Sequence, residues 1–535
     1  MKKDFYILIL ICAVAISVRL YPTLISGLPF STDGWSPIKN TESLLQYTPV
    51  SLGDNAVFDG YNNYWPAMSL FGAVFSLVTG LSVVDAMAIG IPLVAALTIP
   101  LFYALVRRIT ENTKIALIAT TLLATAYPYT LFTAGVTKET FANPIYVCVL
   151  LLFLLAPSWK RTLLFLLSSV VLVFSQHLAT LVTIGVLITL TIGLFYSKDN
   201  KARYSVKSTV GLLGILSGVA VVYFYFYSYS GFPASLSSSD LLTVGAHQLV
   251  VLAVILFFTS KAGFPSRRQI FLGSLGIIVL SCFFVVLLTQ KPLVSGAPIL
   301  PIHYVIYMVP FMVLLPVMVF AFDGLYERRS RLLLPIFWLS PIIALEGYAI
   351  FSGSPISLTL TSRTLNFLIL PLLILVGLAF YKLYTYNKKA RVKRIVIVGI
   401  VATLLVVALV NRYSVFASVS LNERYMGYFW LYRAPEFAAS ALIFANTVNQ
   451  TVAGDVKVFY LLNGYFGVKV DVYDGLNYLD GDGSAPDLLF VYPEMVTNGY
   501  VIYSGNVWVL QENWTSRLVP LSSIYSNGMV NLYAK

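Results

Sequence analysis

The chain has 535 residues, of which 58% are hydrophobic and only 11% charged, and its mean hydropathy is +0.82. A soluble domain carries about 25% charged residues, so this composition excludes a soluble globular protein for most of the chain and makes lipid the solvent. The net charge of +12 does not indicate nucleic acid, because the basic residues sit in short loops between apolar runs, where they set membrane orientation.

In chain order, apolar runs occur at about 5–24, 83–106, 115–133, 141–156, 162–176, 178–196, 208–227, 241–260, 269–289, 302–322, 332–351, 364–384 and 395–411. They predict about thirteen spans, several near the lower length limit for a spanning helix. The first begins with two lysines and contains Ala13-Val14-Ala15, a pattern that signal peptides share. Its apolar run continues past that site, so it reads as a span. With the N-terminus inside, the inner loops hold 23 of the 35 Lys and Arg residues and the outer side of the membrane part only six. The inner set includes Arg107, Arg108, Lys160, Arg161, Lys198, Lys201, Arg203, Lys261, Arg328, Arg329, Lys388 and Lys389. This asymmetry fixes the predicted orientation. It also keeps the further apolar stretch 64–80 from spanning, since a span there would move every later basic loop outside. That stretch is expected to be a helix in the outer interface, inside a long first outer loop over 25–82.

The tail from 413 differs. Pro435-Glu436 opens an amphipathic helical stretch to about Val448, and short strands are expected at 456–461, 488–492, 500–503 and 507–510. The predicted architecture is an all-α polytopic membrane domain over 1–412 with a small extracytoplasmic α/β domain over 413–535. Asn449-Gln450-Thr451 and Asn513-Trp514-Thr515 are sequons on the predicted outer side. Asp471, Asp474, Asp480, Asp482 and Asp487 lack the ligand spacing of a calcium loop and read as turns. Cys12, Cys148 and Cys282 all lie in apolar runs and offer neither a disulfide framework nor a metal-ligand spacing.

Ionisable groups in the membrane part gather at one depth. His177, His247, His303, Glu346 and Arg363 fall at outer ends of spans, Lys138 and Glu139 in a very short outer loop, and Asp33, Glu42, Asp54 and Asp59 in the long one. A transporter places such groups near the midplane; these point to chemistry at the outer interface. Each also has a plain structural reading: Asp33 as a turn residue, the histidines as hydrogen-bonded core residues, Arg363 as a snorkelling cation, and Lys138 with Glu139 as a solvated ion pair.

Several motifs carry a resemblance. Arg19-Leu20-Tyr21-Pro22 followed by Ser31-Thr32-Asp33-Gly34-Trp35, the interface stretch with Ser82-Val83-Val84-Asp85, Val136-Thr137-Lys138-Glu139, Ser175-Gln176-His177-Leu178 and Ser362-Arg363-Thr364 resemble, in their order, the outer-face motifs of the GT-C integral-membrane glycosyltransferases. The style is that of archaeal members, and the layout is similar to oligosaccharyltransferase catalytic subunits. The tail departs from those enzymes: it has no Trp-Trp-Asp-Tyr-Gly motif, and Val472-Tyr473-Asp474-Gly475 is not one.

The resemblance implies a cell-membrane transferase that moves a sugar from a polyprenyl (dolichyl) phosphate carrier to a lipid-linked glycan or a protein acceptor on the outer face. Asp33 is then the base in an inverting displacement. Glu139 orients the acceptor or shares a divalent ion, Mg or Mn, with Asp33. Arg363, His177 and Lys138 bind the donor phosphate. The competing readings are a flippase of lipid-linked glycans, an oligosaccharyltransferase-like protein glycosylation enzyme, and a scaffold displaying the tail. Since the implied chemistry precedes the tail, the tail is expected to be dispensable for catalysis and to govern acceptor choice.

Overall fold

Ten helical runs are long and apolar enough to cross a membrane: Lys3–Ser26, Val83–Thr110, His177–Tyr196, Lys207–Phe226, Ser239–Thr259, Arg268–Leu288, Ile302–Phe322, Arg331–Phe351, Ser357–Thr385 and Lys393–Ser420. The protein is a multi-pass membrane protein. Of the three other runs read from the sequence, 141–156 and 162–176 fall on the helices Lys138–Leu154 and Trp159–Ser175, whereas 115–133 is broken into Thr113–Thr125 and a short turn of helix, Tyr129–Phe132. The computed structural model describes residues 2–47, 61–197, 206–229, 238–260, 266–292, 297–323, 331–353, 357–386, 390–421, 423–424, 426–446 and 450–535. Asp54, Asp59, Asn449 and the basic residues Lys198, Lys201, Arg203, Lys261, Arg328, Arg329, Lys388 and Lys389 lie outside the described residues.

The chain divides into two units. One comprises residues 1–18, 94–132 and 142–414. Its core mixes aliphatic and aromatic side chains, with Leu150, Val186, Phe337, Leu370 and Ile374 fully enclosed. Small residues let its helices approach closely, as membrane helices require when burial in lipid gives no drive to associate. A Cβ on Gly193 would lie 2.8 Å from the Phe337 ring, and one on Gly377 only 3.1 Å from the Ile115 carbonyl. The indole N–H of Trp338 donates to the Tyr146 hydroxyl at 2.5 Å. Both side chains are buried, so the bond satisfies polar atoms that lipid could not.

The other unit comprises 19–93, 133–141 and 415–535. Its first segment carries the helix Trp35–Gln46 and the helix Ala67–Thr79. The second of these has 13 residues, about 20 Å at 1.5 Å per residue, against a hydrocarbon core of about 30 Å. Met68, Ser69, Gly72, Ala73 and Ser76 form its buried face, while Leu70, Val74, Leu77 and Val78 are exposed. Thr41, on the buried face of Trp35–Gln46, donates to the Pro37 carbonyl at 2.8 Å and also reaches the Ser69 carbonyl at 3.4 Å.

The tail contributes a five-stranded sheet, ordered β2-β1-β3-β7-β6, and a two-stranded ribbon, β4-β5. The strands are β1 Val452–Ala453, β2 Val470–Asp471, β3 Leu488–Val491, β4 Tyr500–Ile502, β5 Asn506–Trp508, β6 Ser522–Ser526 and β7 Asn531–Ala534. β1 runs parallel to β2 and β3, whereas β7 pairs antiparallel with both β3 and β6. All four residues of β3 are buried, as expected of a strand covered on both faces. The helix Ala434–Asn446 falls where Pro435-Glu436 placed it. The expected strand at 456–461 is instead a helical turn, Val456–Leu461. Asp455 overrides the β-branched composition there: its carboxylate accepts the Val458 N–H at 3.0 Å and caps that turn. Asp471 caps Val472–Asp480 in the same way, accepting from Tyr473 and Asp474 N–H groups at 2.9 Å. Asp471 is thus a helix cap, and Asp474 and Asp480 lie in the helix it opens, so these three are not the turns expected of them.

Candidate functional site

Asp33 sits on a single 3-10 turn, Thr32–Gly34. Ser31, Thr32, Gly34 and Trp35 are buried, but Asp33 is exposed, so a rigid turn presents one carboxylate to solvent. The backbone before it is strained: Ser31 has φ 95°, a conformation costing a residue with a Cβ about 1–3 kcal/mol. An isolated β-bridge and two backbone hydrogen bonds, one of them the bridge's own, hold that conformation. Phe30 bridges Leu431 in antiparallel fashion, Ser31 N–H donates to the Trp430 carbonyl at 2.8 Å, and the Phe30 carbonyl accepts the Val136 N–H at 2.8 Å. The Ser31 hydroxyl oxygen accepts the Asp33 N–H at 3.3 Å.

The bond to Val136 brings the second acidic motif to the same turn. A Cβ on Gly34 would lie 2.9 Å from the Val136 carbonyl oxygen and 3.0 Å from its Cβ. Gly34 has an ordinary φ of −79°, so close approach and not backbone freedom requires glycine. Val136 leads into the helix Lys138–Leu154, whose first turn contains Glu139. Thr137 caps that helix, its hydroxyl accepting the Thr140 N–H at 3.0 Å. Glu139 is 9% exposed. Lys138 reaches the end of the first loop: its ammonium donates to the Asn62 carboxamide at 2.7 Å and lies 4.0 Å from the Tyr61 ring centroid. Asp33, Lys138 and Glu139 thus belong to one unit, and the turn bearing Asp33 packs on the segment bearing the other two.

His177 and Arg363 belong to the other unit. His177 is the first residue of His177–Tyr196, behind the cap Gln176, whose side chain accepts the Ala179 N–H at 3.0 Å. Arg363 lies half-buried in the helix Ser357–Tyr386. Its neighbour Thr364 donates to the Glu346 carboxylate at 2.5 Å, so Glu346 has a local partner. His247 is also locally engaged, with Nδ1 2.8 Å from the Thr243 carbonyl and its ring stacked on Phe351.

Among the described residues no three His, Cys, Asp or Glu side chains gather closely enough to hold a metal ion. Among those residues no third donor of these types joins Asp33 and Glu139, so they do not by themselves fit a divalent site.

No protein-family model and no curated protein sequence matches the chain. Solved structures do. The archaeal oligosaccharyltransferase AglB from Archaeoglobus fulgidus, in complex with an inhibitory peptide and a dolichol-phosphate, superposes with a TM-score of 0.61 at 11% identity, over 92% of this chain and 69% of that one. The fold is that of an archaeal oligosaccharyltransferase. The apo form of the Archaeoglobus fulgidus enzyme gives 0.59 at 12% identity, over 92% of this chain and 70% of that one. Its complex with Zn and sulfate gives 0.54 at 12% identity, over 99% of this chain and 73% of that one. At such identities the likeness is one of fold, and it is the GT-C-like fold that the motif order implied.

Two features of this unit go beyond the sequence reading, which named Glu42 only as an acidic residue of the first outer loop and did not name Asp455. Glu42 lies on the same face of its helix as Trp35 and accepts the Tyr465 hydroxyl at 2.8 Å. Burial pushes its carboxyl above the usual range, opposed by that bond and by Lys39. The i, i+7 spacing from Trp35 was a readable signal; its partner 423 residues away was not. Asp455 is fully buried. Its oxygens accept the Tyr492 hydroxyl and the Val458 and Val501 N–H groups. Burial raises its carboxyl to about 6 despite those donors.

Proposed function

We propose that the protein is an outer-face membrane glycosyltransferase that takes its sugar from a polyprenyl-phosphate donor. The single observation that carries this reading is the Asp33 turn: one exposed carboxylate on a strained, buried turn, locked to the segment bearing Lys138 and Glu139, within an oligosaccharyltransferase fold. Strain held by surrounding structure is characteristic of functional sites. The dolichol-phosphate of the AglB structure supports a lipid-phosphate donor by analogy of fold.

In the proposed reaction the acceptor hydroxyl attacks the anomeric carbon, a new C–O bond forms, the bond to the carrier phosphate breaks, and the phosphate leaves as an anion. Asp33 takes the hydroxyl proton, and one displacement inverts the anomeric centre. Glu139, held at the start of its helix, positions the acceptor. Arg363 pairs with the leaving phosphate through its planar fork of donors, assisted by His177. Lys138 carries positive charge to the site edge, though Asn62 and Tyr61 already hold its ammonium. The proposed topology has the N-terminus inside, the membrane part ending near 412, and residues 413–535 outside as a domain.

The test is transfer from a polyprenyl-phosphate-linked sugar in purified membranes. Asp33→Asn should lower transfer by about 10²-fold or more, the scale of a lost general base, with donor binding kept. Arg363→Ala should weaken donor binding. Near-normal turnover by Asp33→Asn removes the central residue of this mechanism.

A further inference from the structure

A run of aromatic rings begins two residues after Asp33 and ends in the open. Trp35 is fully enclosed, its ring 5.7 Å from Phe437 and 5.4 Å from Tyr465 between centroids. Phe466 continues the run, 5.3 Å from Phe437 and 4.9 Å from Tyr465, and Phe444 lies a further 5.6 Å on. Burial falls along it: Phe437, Tyr465 and Phe466 are half-buried, and Phe444 is 58% exposed. A polar edge accompanies the rings. Tyr465 donates to Glu42, which is half-buried. Lys39, one turn earlier, has its ammonium 3.0 Å from the position of a Cβ on Gly467. Gly467 takes φ +74° at the end of a π-helical turn, Leu462–Phe466, an irregularity found frequently at functional sites.

We propose that Phe437, Tyr465, Phe466 and Phe444, backed by the enclosed Trp35 and with Glu42 and Lys39 at their edge, form a carbohydrate subsite that holds the saccharide portion of the acceptor. The inference rests on the transferase reading above and narrows its acceptor to a glycan. Rings serving only as core would be enclosed as Trp35 is. A lipid surface would accept the rings but would penalise a carboxylate held among them. A pyranose satisfies both features: its C–H face covers an aromatic face, and its hydroxyls donate to a carboxylate and accept from an ammonium. A few placed polar groups beside apolar surface are the usual composition of a ligand site. The partial burial of Glu42 strengthens any hydrogen bond it accepts from a sugar hydroxyl. A peptide acceptor read by a sequon motif has no comparable need for the stripe, and the tail lacks the motif such reading uses.

The test is binding of purified full-length protein in nanodiscs to an array of neutral hexose and N-acetylhexosamine oligosaccharides, with fluorescence titration of those retained. The wild type should retain at least one. Phe444→Ala, a change at an exposed ring, should weaken that binding by about five- to tenfold, and Phe444→Tyr should restore it. Asp33→Asn should bind the oligosaccharide as the wild type does while failing in transfer. Loss of binding in Phe444→Ala with active Asp33→Asn would keep the subsite and overturn the catalytic assignment. Retention of no oligosaccharide, or equal binding by wild type and Phe444→Ala, overturns the subsite and assigns the ring stripe to the membrane surface.

Discussion

Two aspartates show how environment separates roles. Asp33 is exposed on its turn, as the proposed base must be to meet a substrate hydroxyl. Asp455 is fully buried, accepts three hydrogen bonds and is pushed up to about 6. A carboxyl raised on folding binds more protons in the native state, so stability falls as pH rises from about 4 to 6 and then levels off. Between pH 7 and pH 5 the wild type should therefore gain about 1 kcal/mol on Asp455→Asn. Paired thermal unfolding curves across that range check this; a pH-independent difference would mean that Asp455 stays ionised. Sequence picked out Asp33 because Ser-Thr-Asp-Gly-Trp ends a span and opens a long loop. It passed over Asp455 because Gly454-Asp455 reads as any turn, and burial by Tyr492 and Val501 comes from chain dozens of residues away. The basic residues of the tail were equally opaque: the buried ammonium of Lys457 pairs with Glu436, a contact that neither side of the sequence announces.

At the scale of elements, the Asp33 turn depends on pieces that sequence kept apart. Span positions were legible because apolar runs report lipid directly, and all the expected runs fall on helices, one of them, 115–133, broken in two. The helical turn at 456–461 was not, since Val-Lys-Val-Phe-Tyr-Leu alternates like a strand and only its cap tips the balance. The tail's part in the site was also hidden. Leu431 and Trp430 hold the backbone beside Asp33, and Tyr432, Phe437 and Tyr465 enclose Trp35. A tail dispensable for catalysis is therefore not what these contacts support: its removal would strip the turn of the bonds that hold Ser31 in its strained conformation. The tightest of these joints is at Gly34. Gly34→Ala places a methyl 2.9 Å from a backbone oxygen, which can be relieved only by moving the turn away from Val136. A displacement of about 1 Å costs on the order of 10²-fold in rate, so transfer should fall by that scale although Asp33 remains. Donor binding and the thermal midpoint measured on the same preparation distinguish this from global unfolding, which would lower all three.

For the whole molecule the decisive quantity is the distribution of charge between loops. Moving the stretch 64–80 across the membrane would reverse every later loop, place Arg107 and Arg108 outside, and invert an asymmetry of 23 inner to six outer basic residues. The helix found there, Ala67–Thr79, is about 20 Å long, some 10 Å short of the hydrocarbon thickness. Its exposed face, Leu70, Val74, Leu77 and Val78, is apolar enough to lie in the interface. Thr113–Thr125 is equally short, so it is the charge asymmetry that separates the two and predicts that both ends of Ala67–Thr79 share a side. Cysteine labelling with a membrane-impermeant maleimide tests the arrangement, in a background with Cys12, Cys148 and Cys282 replaced by serine. Tyr61→Cys and Leu81→Cys flank the helix and are exposed; both should label in intact cells, as should Lys535→Cys in the tail. Arg391→Cys, in the basic cluster before the last span, should label only after permeabilisation. Opposite accessibility at 61 and 81 would make the helix a span and invert all that follows it. Labelling of 391 with protection of 535 would put the tail inside, away from any donor delivered to the outer leaflet, and would end the proposed reaction at that face.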